Sequence, residues 1–116
     1  MKQVFISHPY SDYPEKRLEQ VDEICKRLYV EENVLPISPL HAFSFIEIET
    51  LDLREAIMDW CKTQILNVHI HNLHKYEGAD VYCYSYGLGL SEGQTEEYKY
   101  CYKNDILVKY FNLVGD

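Results

Sequence analysis

Short runs of apolar residues recur along this chain, and turn-forming residues bound each of them. Four runs have the length of a strand, and they cover residues 4–6, 34–37, 79–84 and 106–111. Within them the apolar residues are largely continuous rather than alternating with polar ones. Continuous apolar runs are typical of strands covered on both faces, so the pattern predicts a parallel sheet.

The segments between these runs carry apolar residues at the spacing of amphipathic helices. One helix is predicted to start at Pro14, directly after residues that favour helix starts. A second begins near Leu51, and a third covers residues 92–104. The sequence does not fix where the second helix ends. Residues 65–76 either continue the helix or contain a short extra strand at 68–70.

The predicted order of elements is β-α-β-α-β-α-β. Strands that alternate with helices imply parallel pairing and right-handed crossovers. We therefore predict an α/β fold of the Rossmann-like, flavodoxin-like type: a three-layer sandwich around a small, mostly parallel sheet of four or five strands. The 116 residues are expected to form one domain, residues 1–116, and a domain of this size often depends on a partner subunit.

Ligands bind to such sheets beyond the carboxyl ends of the strands. Three predicted loops meet at that edge, and they cover residues 7–10, 38–41 and 85–93. The segment 40–50 is rich in aromatic residues and is interpreted as an active-site or lid loop. For the first loop, the alternative is a plain turn that ends the strand. The residues of these loops that we expect to contact a ligand include Ser7, His8, Pro9, Tyr10 and His41.

Ser91 opens the segment Ser-Glu-Gly-Gln-Thr-Glu-Glu, which follows the third predicted strand and starts a helix. A turn of this kind presents backbone N–H groups to a phosphate. Ser91 and Gln94 also match a helix capping box, which explains Ser91 without a ligand. Gly93 costs about 1 kcal/mol relative to alanine in a helix, so either a ligand or a closely packed strand is expected beside its backbone. Its location at the binding edge favours the ligand.

Glu97 shares a helix face with Gly93 and Cys101, and this face is predicted to point inward. The neighbouring residue, Glu96, is predicted to point outward. Burying a carboxylate costs free energy unless the group is paired or functional. Glu97 is therefore interpreted either as a functional carboxylate beside the phosphate site or as a half-exposed side chain at the margin of the helix.

Composition and charge exclude several classes of protein. The formal net charge of −8 argues against binding to nucleic acid or to an anionic membrane, while a small anion held by backbone N–H groups stays compatible with it. The four cysteines form no Cys-x-x-Cys pair, which indicates reduced thiols. Because the sequence shows no signal-peptide pattern and no apolar run of about 18 residues, a cytoplasmic location is predicted.

Three histidines, His69, His71 and His74, are spaced as His-x-His-x-x-His. A zinc site needs three or four ligands that converge on one point. No cysteine or carboxylate is obviously placed to complete such a site, so a solvated polar surface is favoured over a metal site.

Three segments together resemble the nucleoside 2-deoxyribosyltransferase-like superfamily. They are Val-Phe-Ile-Ser-His-Pro-Tyr at residues 4–10, Ala-Asp-Val-Tyr at 79–82, and the Ser-x-Gly-x-x-x-Glu pattern from Ser91 to Glu97. The similarity in element order spans most of the chain, and the Ser-x-Gly-x-x-x-Glu turn is its specific part. This superfamily includes deoxyribosyltransferases, nucleoside-monophosphate N-glycosidases and many small bacterial and phage proteins.

The resemblance implies roles for particular residues. Glu97 matches the glutamate nucleophile that attacks the sugar C1′ atom. Ser91 and Gly93 match the turn that binds the 5′-phosphate, and residues 7–10 match the segment that lines the sugar and base pocket. The resemblance also implies a homodimer or larger homo-oligomer, and no cofactor is expected.

One position departs from the pattern of the superfamily. Active members carry an aspartate on the helix before the third strand, about two turns before the Ala-Asp pair. Counted back from Asp80 without a gap, the matching position in this chain is Asn72, which cannot act as an acid, and the stretch 67–78 is interpreted as an insertion. Asp59, farther back on the same predicted helix, is the candidate acid.

The expected function is that of an N-glycosidase or transferase that cleaves the N-glycosidic bond of a (deoxy)nucleoside 5′-monophosphate through Glu97. The alternative is a catalytically inactive protein that senses or sequesters a nucleotide-derived ligand. A structural subunit without a ligand is a third interpretation. For the first two, the partner is a small-molecule nucleotide, and neither nucleic acid nor a membrane is expected to bind.

Overall fold

Four parallel strands form a sheet in the structure of the protein, a computed structural model that describes residues 1–46 and 49–113. The strands lie in the order β2-β1-β3-β4, and every neighbouring pair is parallel. The α/β, Rossmann-like prediction is therefore confirmed. The strands are β1 (Lys2–Ser7), β2 (Val34–Ile37), β3 (Val81–Ser85) and β4 (Val108–Asn112).

Helices connect the strands in the described part of the chain. A long helix follows β1, a short and a long helix lie between β2 and β3, and another helix joins β3 to β4. None of these helices combines the length and the apolar character that a membrane crossing needs. They are α1 (Pro14–Glu32), α2 (Pro39–Phe43), α3 (Leu51–Asn72) and α4 (Glu92–Lys103).

The segment 40–50, predicted as a loop, begins inside helix α2. Ser38 caps this helix, because its hydroxyl oxygen accepts a hydrogen bond from the His41 N–H, and Pro39 occupies the first helical position. The prediction of a loop is wrong for this first part of the segment. Residues 47–48 of the segment lie outside the described part of the chain.

The extra strand considered at residues 68–70 is wrong, because α3 continues through this segment to Asn72. Cys61, Ile65 and Val68 are buried along one face of α3, at the spacing that a helix requires. Short apolar runs are ambiguous between helix and strand in sequence. Here the packing of α3 against the sheet decides in favour of the helix.

The sheet has an apolar core on each face, so the layers are helix, sheet and helix. Successive strand residues point to opposite faces. Val4 and Ile6 accordingly pack on the side of α1, whereas Phe5 packs on the side of α3 and α4. The core on the α1 side further includes Val21, Ile24, Leu28, Tyr82 and Tyr84. The opposite core further includes Cys61, Ile65, Val68, Val81, Cys101 and Ile106.

The order of strand addition reverses between β1 and β3. From β1 the chain moves to β2 on one side of the sheet, and it then returns to add β3 on the other side. In sheets of this type such a reversal leaves a crevice at the carboxyl ends of the two central strands. Ser7 ends β1 and Ser85 ends β3, so these two residues mark the crevice.

Candidate functional site

A cleft of about 690 Å³ opens at the carboxyl-end edge of the sheet, lined by residues of α2, α3 and α4. Its walls also include the end of β1 and the turn that follows it. Ser7 is not among the lining residues but hydrogen bonds to one of them. Six of the residues predicted for the site line the cleft: His8, Tyr10, Asp59, Ser91, Gly93 and Glu97.

Glu97 is a buried carboxylic acid on the wall of this cleft, with 7% of its surface exposed. Its Oε1 atom accepts a hydrogen bond of 2.7 Å from the Ser7 hydroxyl. Burial raises the pKa of Glu97 to about 7, although hydrogen bonds from Ser7 and from the Cys61 thiol oppose the rise. A carboxyl group with this pKa is present in both its charged and its neutral form near pH 7.

Gln94 fixes the start of α4, and with it Glu97, to the two central strands. Its side-chain Nε2 donates to the backbone oxygens of Tyr84 at 2.6 Å and of Ser7 at 3.2 Å. Its Oε1 accepts a hydrogen bond from the Ser91 N–H at 3.0 Å. Glu97 follows one helical turn later on the same buried face. The sequence pattern of Gln94 predicts only a capping residue, although its helical spacing from Glu97 is a signal of burial.

Ser91 and Gln94 form the predicted capping box, since the Gln94 N–H also donates to Ser91 Oγ at 3.2 Å. The N–H groups of Glu92 and Gly93 lie in the first turn, where no helical carbonyl precedes them. A methyl group added at Gly93 would lie 3.8 Å from Met58 Cε, an ordinary contact. The closely packed strand considered beside Gly93 is therefore wrong, and this part of the helix faces the cleft.

His8 lies in the cleft wall in a single, neutral form. Its Nδ1 is 2.8 Å from the Pro9 carbonyl oxygen, which can only accept, so Nδ1 carries the proton. Its Nε2 therefore accepts from the Tyr86 hydroxyl at 2.6 Å. Burial, helped by the nearby Arg17 charge, lowers the pKa of His8 to about 4, although the hydrogen bond to Pro9 opposes this. His8 is thus a fixed, uncharged part of the wall.

Arg17 is a buried cation that sequence analysis did not single out. Its Nε and Nη2 donate to the two carboxylate oxygens of Asp12 at 3.1 and 2.7 Å. Its guanidinium carbon lies 4.5 Å from the centre of the Tyr86 ring. The signal was its helical spacing from Val21, which places Arg17 on the buried face of α1. Arg17 thereby supports the Tyr86 hydroxyl that holds His8.

His41 and Pro9 do not line the cleft, although sequence analysis placed both at its edge. The His41 ring lies 2.8 Å from Ser38 Oγ through Nδ1 and 3.4 Å from an Asp22 oxygen through Nε2. The cap on α2 thus turns His41 toward α1. Pro9 takes part only through its carbonyl oxygen, which accepts from His8.

Asn72 lies at the opposite, amino-terminal edge of the sheet from Ser7. Its side chain accepts from the Gln3 N–H at 3.0 Å and donates to the Gln3 carbonyl at 2.7 Å, as a neighbouring strand would. It also donates to Asp80 at 2.8 Å, and the other Asp80 oxygen lies 2.7 Å from His69 Nδ1. This network ties α3 to β1 and to the residue before β3.

Asp59 lies on α3 at the rim of the cleft, and its side chain is exposed. General acids in active sites are usually buried or closely paired groups, because their surroundings must hold a proton near neutral pH. The surroundings of Asp59 do not have this character, so its predicted role as an acid receives no support from its environment.

Two of the three histidines predicted at the surface, His69 and His71, lie near the same amino-terminal edge of the sheet. His71 Nε2 is 2.8 Å from the Met1 carbonyl oxygen, and the His71 ring stacks against Tyr76. Within residues 1–46 and 49–113, no group of three or more histidine, cysteine, aspartate or glutamate side chains is placed to hold a metal ion.

Comparison with family models, with curated proteins and with solved structures finds no match for this chain. The fold and the cleft define its class in structural terms. It is a Rossmann-like α/β protein that carries a buried carboxylic acid in a cleft at the carboxyl-end edge of its sheet.

Proposed function

We propose that the protein cleaves, by hydrolysis or transfer, the N-glycosidic bond of a nucleoside or a nucleoside 5′-monophosphate, with Glu97 as the nucleophile. One observation carries the proposal. A buried carboxyl group, hydrogen bonded by Ser7, lines a cleft at the edge where such sheets bind nucleotides. Ionisable groups with strongly perturbed pKa values in a cleft mark functional sites more often than structural ones.

A carboxylate in this position suits the chemistry of N-glycoside cleavage. The reaction passes through a state in which C1′ and the ring oxygen of the sugar share positive charge. An ionised Glu97 stabilises that charge and can form an ester with C1′. The Ser7 hydroxyl holds one carboxylate oxygen, Oε1, and so fixes the orientation of the carboxyl group in the cleft wall.

The size and the lining of the cleft suit a nucleoside. Binding pockets for small ligands typically measure about 300 to 1,000 Å³, and this one falls in that range at about 690 Å³. Phe43, Ile57 and Met58 supply apolar surface for a base. The N–H groups of Glu92 and Gly93 supply hydrogen-bond donors for the sugar or its 5′-substituent.

The test is base release from a panel of nucleosides and their 5′-monophosphates, measured by chromatography. We expect release by the native protein and loss of at least about a thousandfold in Glu97→Gln, because the variant has no nucleophile. Glu31→Gln, an exposed position near the end of α1 and away from the cleft, is the charge-matched control and should keep full activity. Equal rates in both variants would contradict the proposal.

A second candidate function is binding without turnover, and a specific observation favours it. By the resemblance, and counted without a gap, the position of the second acid is occupied by Asn72, whose side chain is engaged with Gln3 and Asp80 away from the cleft. A nucleotide that raises the melting temperature without release of base would support this candidate, since ligands that prefer the native state stabilise it.

A further inference from the structure

The cleft poses a chemical problem for the departing base. When an N-glycosidic bond breaks, the nitrogen keeps the bonding electrons, and enzymes usually neutralise them with a proton from a second acid. Among the described lining residues, Glu97 is the one buried carboxylic acid. His8 has both ring nitrogens engaged, with Pro9 and with Tyr86. The described lining therefore suits a leaving group that needs no proton.

The charge of the lining points to the same kind of leaving group. The two cationic side chains of the described lining are both paired, Arg54 Nε with Glu49 at 3.0 Å and Lys62 Nζ with Glu96 at 3.8 Å. Further carboxylates are left to face a ligand, so the wall carries net negative charge. The carboxylic side chains of the described lining are Glu49, Glu55, Asp59, Glu92, Glu96 and Glu97.

We propose, on the basis of the function proposed above, that the cleft takes nucleosides whose base is already positively charged at the ring bonded to the sugar. Pyridinium nucleosides and N7-alkylated purine nucleosides are of this class. The carboxylates of the wall attract such a base by charge complementarity. Tyr10 and Phe43 add aromatic surface, which binds cationic rings better than neutral ones of the same shape.

The reaction is balanced without an acid. The C1′–N bond breaks, and its electron pair cancels the positive charge of the base, which leaves as a neutral molecule. A carboxylate oxygen of Glu97 forms a bond to C1′. Water then attacks C1′, the C1′–O(Glu97) bond breaks with return of its electrons to the carboxylate, and the proton from water is released. A cation and water thus give a neutral base, a free sugar and a proton.

The test compares matched pairs of substrates that differ mainly in charge. Nicotinamide riboside is paired with its neutral 1,4-dihydro form, and 7-methylguanosine with guanosine. The rate of base release is divided by the uncatalysed rate of the same compound, because cationic nucleosides also react faster in water. We expect this ratio to favour the cationic member of each pair by at least about tenfold, and calorimetry on the native protein to show the same order of affinity.

Variants of the wall provide the second measurement. Glu55→Gln combined with Asp59→Asn should raise KM for the cationic members about threefold to tenfold and leave KM for the neutral members unchanged. Glu23→Gln combined with Glu31→Gln, at two exposed positions of α1 outside the cleft, is the matched control and should change neither value.

The outcomes separate this inference from the function on which it rests. Neutral members that are bound and cleaved as well as cationic ones would overturn the inference and leave the proposed function standing. Binding that favours the cationic members, without base release that depends on Glu97, would overturn the proposed function and support the inference. Neither binding nor release for any compound overturns both.

Discussion

Burial shifts the pKa values of two side chains in the cleft wall toward their neutral forms. Burial raises the pKa of Glu97 to about 7 and lowers the pKa of His8 to about 4. The cause is the same in both cases, because removal from water penalises whichever form carries charge. The hydroxyl of Ser7 counteracts this for Glu97 by stabilising its ionised form. This hydrogen bond therefore helps to set the pH at which Glu97 ionises.

The substitution Ser7→Ala should raise the pKa of Glu97 further, because the ionised carboxyl loses its donor. We expect the acidic limb of the pH–rate profile to move to higher pH and unfolding to become easier by about 1 to 2 kcal/mol. Ser7→Thr keeps the hydroxyl and should restore the native profile. An unchanged acidic limb in Ser7→Ala would show that Glu97 is not the group that titrates.

The substitution Glu97→Gln should increase stability at alkaline pH. The folded pKa of about 7 lies above the ordinary value of 4.5, so folding favours the proton, and the contribution of Glu97 to native stability falls as pH rises from about 4.5 through about 7. Removing this group should stabilise the protein at pH 8 by up to about 3 kcal/mol. Urea denaturation at pH 4.5 and pH 8 measures the difference, and an equal effect at both values would contradict it.

Helix α4 is placed by side-chain bonds to the sheet rather than by its own sequence preferences. Gln94 ties its first turn to the ends of β1 and β3, while Gly93 leaves space on the side of the cleft. Gly93 thus lowers the intrinsic stability of the helix at the place where a ligand is expected to approach. Stability and function should respond in opposite directions to a change at this glycine.

The substitution Gly93→Ala tests this opposition. Alanine should stabilise α4 by up to about 1 kcal/mol, since the added methyl group meets only Met58 Cε, at 3.8 Å. The same methyl group projects toward the cleft, so KM for the substrate should rise. Thr95→Ala, a change on the same helix outside the lining, is the control for effects on α4 alone. A more stable variant with an unchanged KM would contradict the role of the glycine.

The pH dependence of the whole molecule combines the two buried groups. Between about pH 4.5 and 6.5, Glu97 is protonated in the native state but ionised in the unfolded chain. Over the same window, His8 is neutral in the native state but protonated in the unfolded chain. The two contributions have opposite signs and cancel over this window. Native stability should therefore vary little there on account of these groups.

The substitution His8→Gln should remove one of the two contributions and expose the other. Relative to the native protein, the variant should lose about 1.4 kcal/mol of stability for each unit of pH increase between pH 5 and 6.5. Urea denaturation at three values of pH in this window measures the slope. The double variant with Glu97→Gln serves as the control, and its stability should again be level across the window.

The layers of the fold are predictable from sequence because each depends on short-range patterns. Apolar runs mark all four strands, and Ser91 with Gln94 marks the start of α4. The role of Gln94 at the strand ends depends instead on Ser7, 87 residues away, and a pattern along the chain does not contain such a contact. The burial of Glu97 is predictable, because its helical spacing from Cys101 places it on the inward face of α4.

The errors have a similar origin. His41 follows β2 and was expected at the cleft, but the cap formed by Ser38 turns its ring toward Asp22 on α1. The segment 68–70 has strand-like composition, and only the contact of α3 with the sheet fixes it as helix. In both cases a contact with a distant part of the chain overrides the local preference. For His41 the contact is with Asp22 on α1, and for the segment 68–70 it is with the sheet.

The Gln94 side chain is held by three hydrogen bonds, to Ser7, Tyr84 and Ser91, so this part of the cleft is fixed. Other residues of the cleft wall are better suited to substitution. Phe43, Ile57 and Met58 contribute to the walls while none of them is among the fully buried residues of the two cores. Substitutions at these three positions should accordingly reshape the space near Glu97 at a smaller cost to folding than substitutions of the fully buried core residues. A library confined to them is a direct route to redirecting the protein toward other ligands.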